Sequence, residues 1–146
     1  MAVQITAADE ADLSEVADVA AVTFPLACPA SAQPADIAAF ITANLSVRRF
    51  ADYLADPERE VLVARASGTR ILGYAMLIHG VPDDADVQRA VALRPSVELS
   101  KMYVLPDSHG GTVSAALMRA ALDYSTARAA ASVWLGVNQQ NQRAQR

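Results

Sequence analysis

The sequence contains one cysteine, few aromatic residues and no excess of positive charge. Cys28 is the only cysteine among 146 residues, which excludes both an internal disulfide and a zinc site built on several thiolates. The formal net charge of −4 argues against duplex nucleic-acid binding, because such proteins present a basic face. No apolar run in the sequence approaches the roughly 20 residues that a membrane-spanning helix needs.

The first residues also lack the pattern of a secretory signal. Met1–Asp9 has neither a basic start nor an apolar central run. A chain of 146 residues is long enough for one domain with one hydrophobic core. We therefore expect a single cytoplasmic domain over residues 1–146, with no metal, no membrane contact and no nucleic-acid partner.

Hydrophobic periodicity divides the chain into strands and helices in the order strand, helices, two strands, strand, helix, strand. Strands show alternation or β-branched runs, and helices show apolar residues three and four positions apart. Because the last helix joins two strands, those strands should form a parallel pair with a right-handed crossover. The predicted strands are Val3–Thr6, Glu60–Ala66, Ile71–His79, Val97–Leu105 and Ala131–Val137, and the predicted helices are Asp12–Phe24 with Asp9 as its cap, one that begins at Pro34, Val47–Leu54 and Gly110–Arg128.

The most informative segment runs from the fourth strand into the last helix. Val97–Leu105 ends at Pro106, and a short loop that contains Gly110 and Gly111 leads straight into helix. Backbone N–H groups converge at a helix N-terminus, where the helix dipole favours negative charge. The segment therefore predicts a binding site for a phosphorylated cofactor. A glycine pair before a helix can also be only a turn and an N-cap, and that alternative stays open.

Three segments of the sequence form a recognisable set: E-L-S-K-M-Y-V-L-P at 98–106, H-G-G-T-V-S at 109–114 and W-L-G-V-N-Q-Q-N-Q-R-A at 134–144. Together they resemble the GCN5-related N-acetyltransferase (GNAT) family. Within the family they look most like bacterial polyamine acetyltransferases of the PaiA type. The resemblance implies an α/β fold in which helices flank a mixed, splayed β-sheet.

The resemblance also implies an activity, the transfer of an acetyl group from acetyl-CoA to a primary amine by direct attack. The acceptor would be a small molecule or a peptide, and a homodimer stays open. The alternative is a non-catalytic coenzyme A-binding or regulatory domain of the same fold.

The family pattern further implies which residues bind the cofactor. The strand would offer backbone groups to the pantetheine arm, and the N–H of Val104 would donate to the thioester carbonyl. The glycine loop would hold the pyrophosphate, although His109, Thr112 and Ser114 depart from the family's usual residues. The cofactor-binding residues are thus expected to be Met102, Tyr103, Val104, His109, Gly110, Gly111, Thr112, Val113, Ser114, Ala115, Asn138 and Asn141.

Glu98 is the predicted catalytic residue, because its place matches a catalytic glutamate of several family members. It would remove a proton from the amine, directly or through water. Glu98 lies six residues before Val104, so both side chains should point to one face of a regular strand. The alternative is an exposed carboxylate at the start of a strand.

The resemblance predicts more sequence than the chain contains. The family places two further strands and a tyrosine general acid after the segment that ends at Ala144, whereas the sequence stops at Arg146. We therefore expect a chain that is truncated at its C-terminus, with an open sheet edge along Ala131–Val137.

Overall fold

Five strands form one mixed sheet in a computed structural model that describes residues 3–66, 70–80, 85–91, 94–106 and 110–134. The strands lie side by side in sequence order. The first four pair antiparallel, and the fifth pairs parallel with the fourth, which confirms the predicted parallel pair. The strands are β1 Val3–Ala7, β2 Arg59–Ala66, β3 Ile71–His79, β4 Ser96–Val104 and β5 Ser132–Trp134.

Helices cover both faces of this sheet. A short 3-10 helix, Glu10–Asp12, leads into the first α-helix, and the described α-helices follow the predicted order. The connection between β3 and β4, where the sequence also allows a helical turn over Ala85–Leu93, contains one short helix. The predicted α/β fold, a mixed sheet flanked by helices, is therefore confirmed. The α-helices are α1 Leu13–Ala27, α2 Pro34–Asn44, α3 Val47–Ala55, α4 Ala85–Ala90 and α5 Gly110–Ala127.

The sheet separates two hydrophobic clusters, and we name the two faces after the helices that cover them. The α1 face packs against α1 and α3, and the α5 face packs against α5. Burial of these apolar side chains is the main force that holds the layers together. Buried members on the α1 side include Val16, Ala20, Phe50, Val61, Val63, Tyr74 and Met76; those on the α5 side include Leu62, Ala64, Ala75, Leu77, Val113, Leu117 and Ala121.

A bulge in β4 changes which side chains share a face. Met76 lies opposite Lys101, but the next residue of β3, Leu77, lies opposite Leu99, so Ser100 is an extra residue in β4. An extra residue reverses the alternation of side chains beyond it.

The reversal is visible in the packing of β4. Leu99 and Val104 both pack in the cluster on the α5 face, although five residues separate them. Glu98 lies opposite Ile78, which packs on the α1 face. The prediction that Glu98 and Val104 point to one face is therefore wrong, because it assumed a regular strand.

Asp9 caps the start of the first helical segment, as predicted. Its side chain accepts a hydrogen bond from the N–H of Ala11 at 3.0 Å, and Asp12 accepts one from the N–H of Asp9 at 3.0 Å. We expect Asp9→Ala to lower the free energy of unfolding by about 1 kcal/mol, the usual value of such a cap. Urea denaturation measures this, with the exposed mid-helix change Asp18→Ala as the control. Equal losses in both variants would contradict the capping role.

Candidate active site

The N-terminus of α5 lies directly after β4 in the chain. The helix begins at Gly110 and runs for 18 residues, and the first N–H groups of any α-helix have no partner within the helix. Val113 is buried against the sheet, whereas Thr112 and Ala115 are exposed and Ser114 is half-buried. N–H groups that have no partner within the helix, and the hydroxyl of Ser114, thus lie where the phosphate site was predicted. His109 lies outside the described residues.

The second half of β4 directs one backbone edge away from β3. The N–H of Leu105 donates to the carbonyl oxygen of Leu72 at 2.8 Å. Because backbone groups alternate between the two edges of a strand, the N–H of Val104 points to the opposite edge, on the side of β5. Described pairing with β5 covers only Ser96–Glu98. The arrangement fits an N–H donor to a thioester carbonyl at Val104, which stays a prediction.

The side chains of the predicted pantetheine segment divide between the two faces. Met102 and Val104 pack in the cluster on the α5 face, and Tyr103 packs on the α1 face. Backbone contacts to a cofactor are compatible with this division, because a strand offers its N–H and C=O groups at its edge rather than on its faces.

Gly73 is a site residue that the sequence analysis missed. A Cβ atom at this position would lie 2.8 Å from the carbonyl oxygen of Tyr103 and 3.2 Å from the Cα of Val104. β3 and β4 can therefore approach this closely only because residue 73 has no side chain. An isolated glycine inside a strand pattern is a sequence signal for such an approach.

Glu98 lies in a row of side chains that crosses the sheet on the α1 face. Its register partners are Ile78 on β3 and Trp134 on β5, and Ile78 is in turn opposite Arg59 on β2. Glu98 is half-buried. Burial raises the pKa of its carboxyl group, while the positive charges of Lys101 and Arg59 oppose this rise.

Lys101 follows Glu98 on the same face because of the bulge. Lys101 lies opposite Met76, a member of the cluster on the α1 face. Burial lowers the pKa of the Lys101 ammonium, Arg59 lowers it further, and Glu98 works in the opposite direction. The Glu98 carboxylate and the Lys101 ammonium thus affect each other's pKa across the bulge in β4.

Aromatic side chains extend this face toward the end of β4. The rings of Tyr103 and Tyr74 lie 5.9 Å apart, and Tyr74 also packs edge-on against Phe50 at 5.6 Å. Burial raises the pKa of the Tyr103 hydroxyl, and the neighbouring Cys28 adds to the rise. Cys28, at the end of α1, is half-buried and its thiol donates to the carbonyl of Phe24 at 3.4 Å. These groups lie together on the α1 face near the end of β4.

His79 and Tyr124 make a separate contact on the α5 face. The Nε2 atom of His79 lies 2.7 Å from the hydroxyl oxygen of Tyr124, and the guanidinium of Arg128 lies 4.8 Å from the centre of the Tyr124 ring. This contact fixes the last part of α5 on β3.

Some predicted site residues lie beyond the part of the chain that the structure describes. Asn138 and Asn141 lie outside the described residues, as does the segment 135–137 of the last predicted strand. In the described part of the chain, no helix is both long enough and apolar enough to cross a membrane. Among the same residues no group of three or more His, Cys, Asp and Glu side chains is placed to hold a metal ion.

Comparison with known proteins decides the family. The model of the acetyltransferase (GNAT) family matches residues 29–146. The chain belongs to the GNAT acetyltransferase family. Proteins of Mycobacterium tuberculosis and Mycobacterium bovis, each named an uncharacterized N-acetyltransferase, are 55% identical to it over 135 residues, covering 92% of this chain and 78% of theirs. The GNAT chain is accordingly an N-acetyltransferase that uses acetyl-CoA.

Solved GNAT structures share the fold. The PaiA N-acetyltransferase of Thermoplasma acidophilum, in complex with coenzyme A, superposes with a TM-score of 0.81 at 17% identity, covering 99% of this chain and 84% of its own. An aminoglycoside N-acetyltransferase of the AAC(6')-Iy type, also with coenzyme A, gives a TM-score of 0.73 at 15% identity, covering 99% of this chain and 82% of its own. At these identities the likeness establishes the fold.

Proposed function

We propose that this GNAT protein acetylates a primary amine of a small molecule or peptide by direct attack, with Glu98 as the general base. The observation that supports the proposal is the position of Glu98, half-buried on the α1 face beside the edge of β4. The cofactor helix α5 covers the opposite face. An amine acceptor that binds at Glu98 therefore approaches the sheet from the side opposite α5, and the acceptor and the cofactor helix do not occupy the same space.

The environment of Glu98 suits proton removal from an amine. An alkylammonium is protonated near neutral pH and cannot attack a carbonyl until it loses a proton. Because burial raises the pKa of Glu98, its carboxylate holds a proton more strongly than an ordinary glutamate does. General bases become more effective as their pKa approaches the working pH.

The residues of β4 and α5 would hold acetyl-CoA, which supplies the acetyl group. We assign the pantetheine arm to the backbone of Met102–Val104 and the pyrophosphate to the first turn of α5, Gly110–Ser114. The N–H of Val104 would donate to the thioester carbonyl oxygen as negative charge develops there. His109, Ala115, Asn138 and Asn141 belong to the same proposal through the family pattern.

The proposal extends to the domain and its location. We assign residues 1–146 to one acetyltransferase domain, and place it in the cytoplasm because the reaction consumes acetyl-CoA. A homodimer remains compatible with the fold.

An assay of free thiol release from acetyl-CoA, run over a panel of primary amines, tests the proposed reaction. We expect thiol release to depend on the amine and the product to gain the mass of one acetyl group. Coenzyme A binding without any amine-dependent release would overturn the proposal and favour a binding domain instead.

Ser114 offers a test of the phosphate site. If its hydroxyl donates to the pyrophosphate, Ser114→Ala should weaken coenzyme A binding by about 0.5–1.5 kcal/mol, the net value of one hydrogen bond. The change should not unfold α5, since alanine has the higher helix propensity. Calorimetric titration measures the affinity. The matched control is Ser14→Ala, at an exposed position in the first turn of α1, and equal affinities in both variants would remove Ser114 from the site.

A further inference from the structure

The only lysine of the chain lies on the α1 face beside Glu98. The 146-residue sequence contains Lys101 and no second lysine, while its other basic side chains are arginines and two histidines. Register places Lys101 opposite Met76, one bulged step along β4 from Glu98. A charged side chain that is partly buried beside apolar packing calls for a physical reason.

Lys101 forms no direct ion pair within the part of the chain that the structure describes. Its ammonium is half-buried and makes neither a hydrogen bond nor an ion pair there. The negative charge that acts on its pKa is that of Glu98. A partly desolvated ammonium without a hydrogen-bond partner is unfavourable, so an anionic group that accepts a hydrogen bond from Lys101 would stabilise the site.

Arg59, whose guanidinium forms an ion pair with Asp56, lies in the same region. Its Nε atom donates to Asp56 at 3.2 Å, its Nη1 lies 3.8 Å from the sulfur of Met76, and its guanidinium lies 4.9 Å from the centre of the Tyr53 ring. These contacts direct the guanidinium over the α1 face, toward the row that contains Glu98. Its charge reaches both Glu98 and Lys101.

A hydrogen-bond donor is also available in this row. The Nε1 atom of Trp134 is buried and has no hydrogen-bond partner among the described residues. Trp134 is the register partner of Glu98, and its neighbour Val133 packs on the α5 face, so the indole belongs to the α1 face. Buried donors without partners are rare in native proteins.

We propose that the acceptor of this acetyltransferase carries an anionic group, such as a carboxylate, which binds Lys101 with help from Arg59 while its amine lies at Glu98. The inference rests on the proposed role of Glu98. Ile78 and Met76, the β3 partners of Glu98 and Lys101, are two residues apart, a span of about 6.8 Å along a strand, so the amine and the anion should be separated by a few methylene groups. An aliphatic diamine of the same length would place its second ammonium against Lys101 and Arg59.

Matched pairs of acceptors test this substrate class. δ-Aminovalerate and cadaverine have the same chain length, as do γ-aminobutyrate and putrescine, and each pair differs by a carboxylate in place of an ammonium. We expect the parent protein to show kcat/KM about tenfold or more higher for the amino acid of each pair, because like charges at close quarters are strongly unfavourable. Equal or higher values for the diamines would overturn the proposal.

Variants at Lys101 supply the control. Lys101→Glu should reverse the preference toward the diamines, Lys101→Met should abolish it, and Lys101→Arg should retain it, with the change in KM rather than in coenzyme A affinity. Circular dichroism confirms folding. An unchanged preference in Lys101→Glu would show that Lys101 does not bind the acceptor.

A second measurement does not require turnover. Because Lys101 is the only lysine, an amine-directed reagent modifies this side chain and the N-terminal amine, and peptide mass analysis separates the two products. We expect valerate, which carries the carboxylate but no amine that would consume the reagent, to slow modification of Lys101 severalfold, and the neutral valeramide to leave it unchanged. Protection without turnover of any amine would defeat the proposed role of Glu98 and leave the anion site standing, whereas absence of protection would defeat the anion site.

Discussion

The Glu98→Gln variant is expected to turn over its amine acceptor about 100-fold more slowly than the parent, within the range measured for general acid–base groups. Glutamine keeps the size and shape of the side chain but cannot accept the proton of the amine. Since α5 and the edge of β4 are untouched, the affinity for coenzyme A should stay the same. Steady-state kinetics and calorimetric titration measure the two quantities separately.

Glu60→Gln is the matched control for this variant. Glu60 is also a half-buried glutamate on the sheet, but it lies opposite Leu77, on the α5 face. We expect its amide variant to retain the parental kcat. An equal loss of rate in both variants would indicate a general effect of removing charge from the sheet and would dismiss Glu98 as the base.

The dependence of the rate on pH tests the role of Glu98 independently. The base must be ionised to work, so kcat/KM of the parent should fall as pH decreases through the pKa of Glu98. Burial raises that pKa, so the fall should begin at a higher pH than for an ordinary glutamate. The glutamine variant should lack this acidic limb. A parental profile that is flat across this range would contradict the assignment.

Gly73→Val is expected to damage both stability and cofactor binding. Valine is a favourable residue in strands in general, yet its Cβ would lie 2.8 Å from the Tyr103 carbonyl oxygen. That atom belongs to the backbone and cannot turn aside, so β3 and β4 must separate. We expect a loss of about 1–3 kcal/mol in the free energy of unfolding, the usual cost of overpacking, and a weaker affinity for coenzyme A because Val104 shifts.

The exposed strand residue Ala7 provides the comparison for Gly73. Ala7→Val adds a β-branched side chain at the surface, where the strand preference of valine can act without a clash. Urea denaturation and coenzyme A titration should show no loss for Ala7→Val. If Gly73→Val were as stable and bound as tightly, the close approach of the two strands would have no role in the site.

Hydrophobic periodicity predicted most of the fold because most helices and strands have apolar residues at the spacing typical of their type. The observed β3 has the bounds that were expected, Ile71–His79, and α5 begins at Gly110 as expected. Both segments contain many apolar residues, and the spacing of these residues determines which face of the element is buried. The residues that flank the elements were less certain, since caps and turns depend on a few polar side chains.

The bulge at Ser100 could not be predicted from the sequence. A bulge is set by how two strands fit together, and nothing in the composition of Glu98–Val104 distinguishes a bulged strand from a regular one. Its consequence is large, because one extra residue exchanges the faces of all side chains that follow. The candidate base was therefore found by its resemblance to a family pattern, while its side of the sheet, and its neighbour Lys101, required the structure.

Gly73 illustrates the opposite case, in which a signal was present and was passed over. A lone glycine between β-type residues predicts a close backbone contact, but only the partner strand shows that the contact falls at Tyr103 and Val104. The sequence can therefore indicate that a close backbone contact exists, but the tertiary structure is needed to identify the residues that make it.

The position of Trp134 has a consequence for spectroscopy. It is the only tryptophan of the chain, and it is half-buried, with a buried Nε1 atom, as the register partner of Glu98. When excitation is chosen beyond the absorption of the tyrosines, fluorescence therefore originates from one ring next to the candidate base. Its emission maximum and its quenching should respond to occupation of the α1 face, which makes the protein its own optical reporter of acceptor binding, in a titration that needs neither labelling nor catalysis.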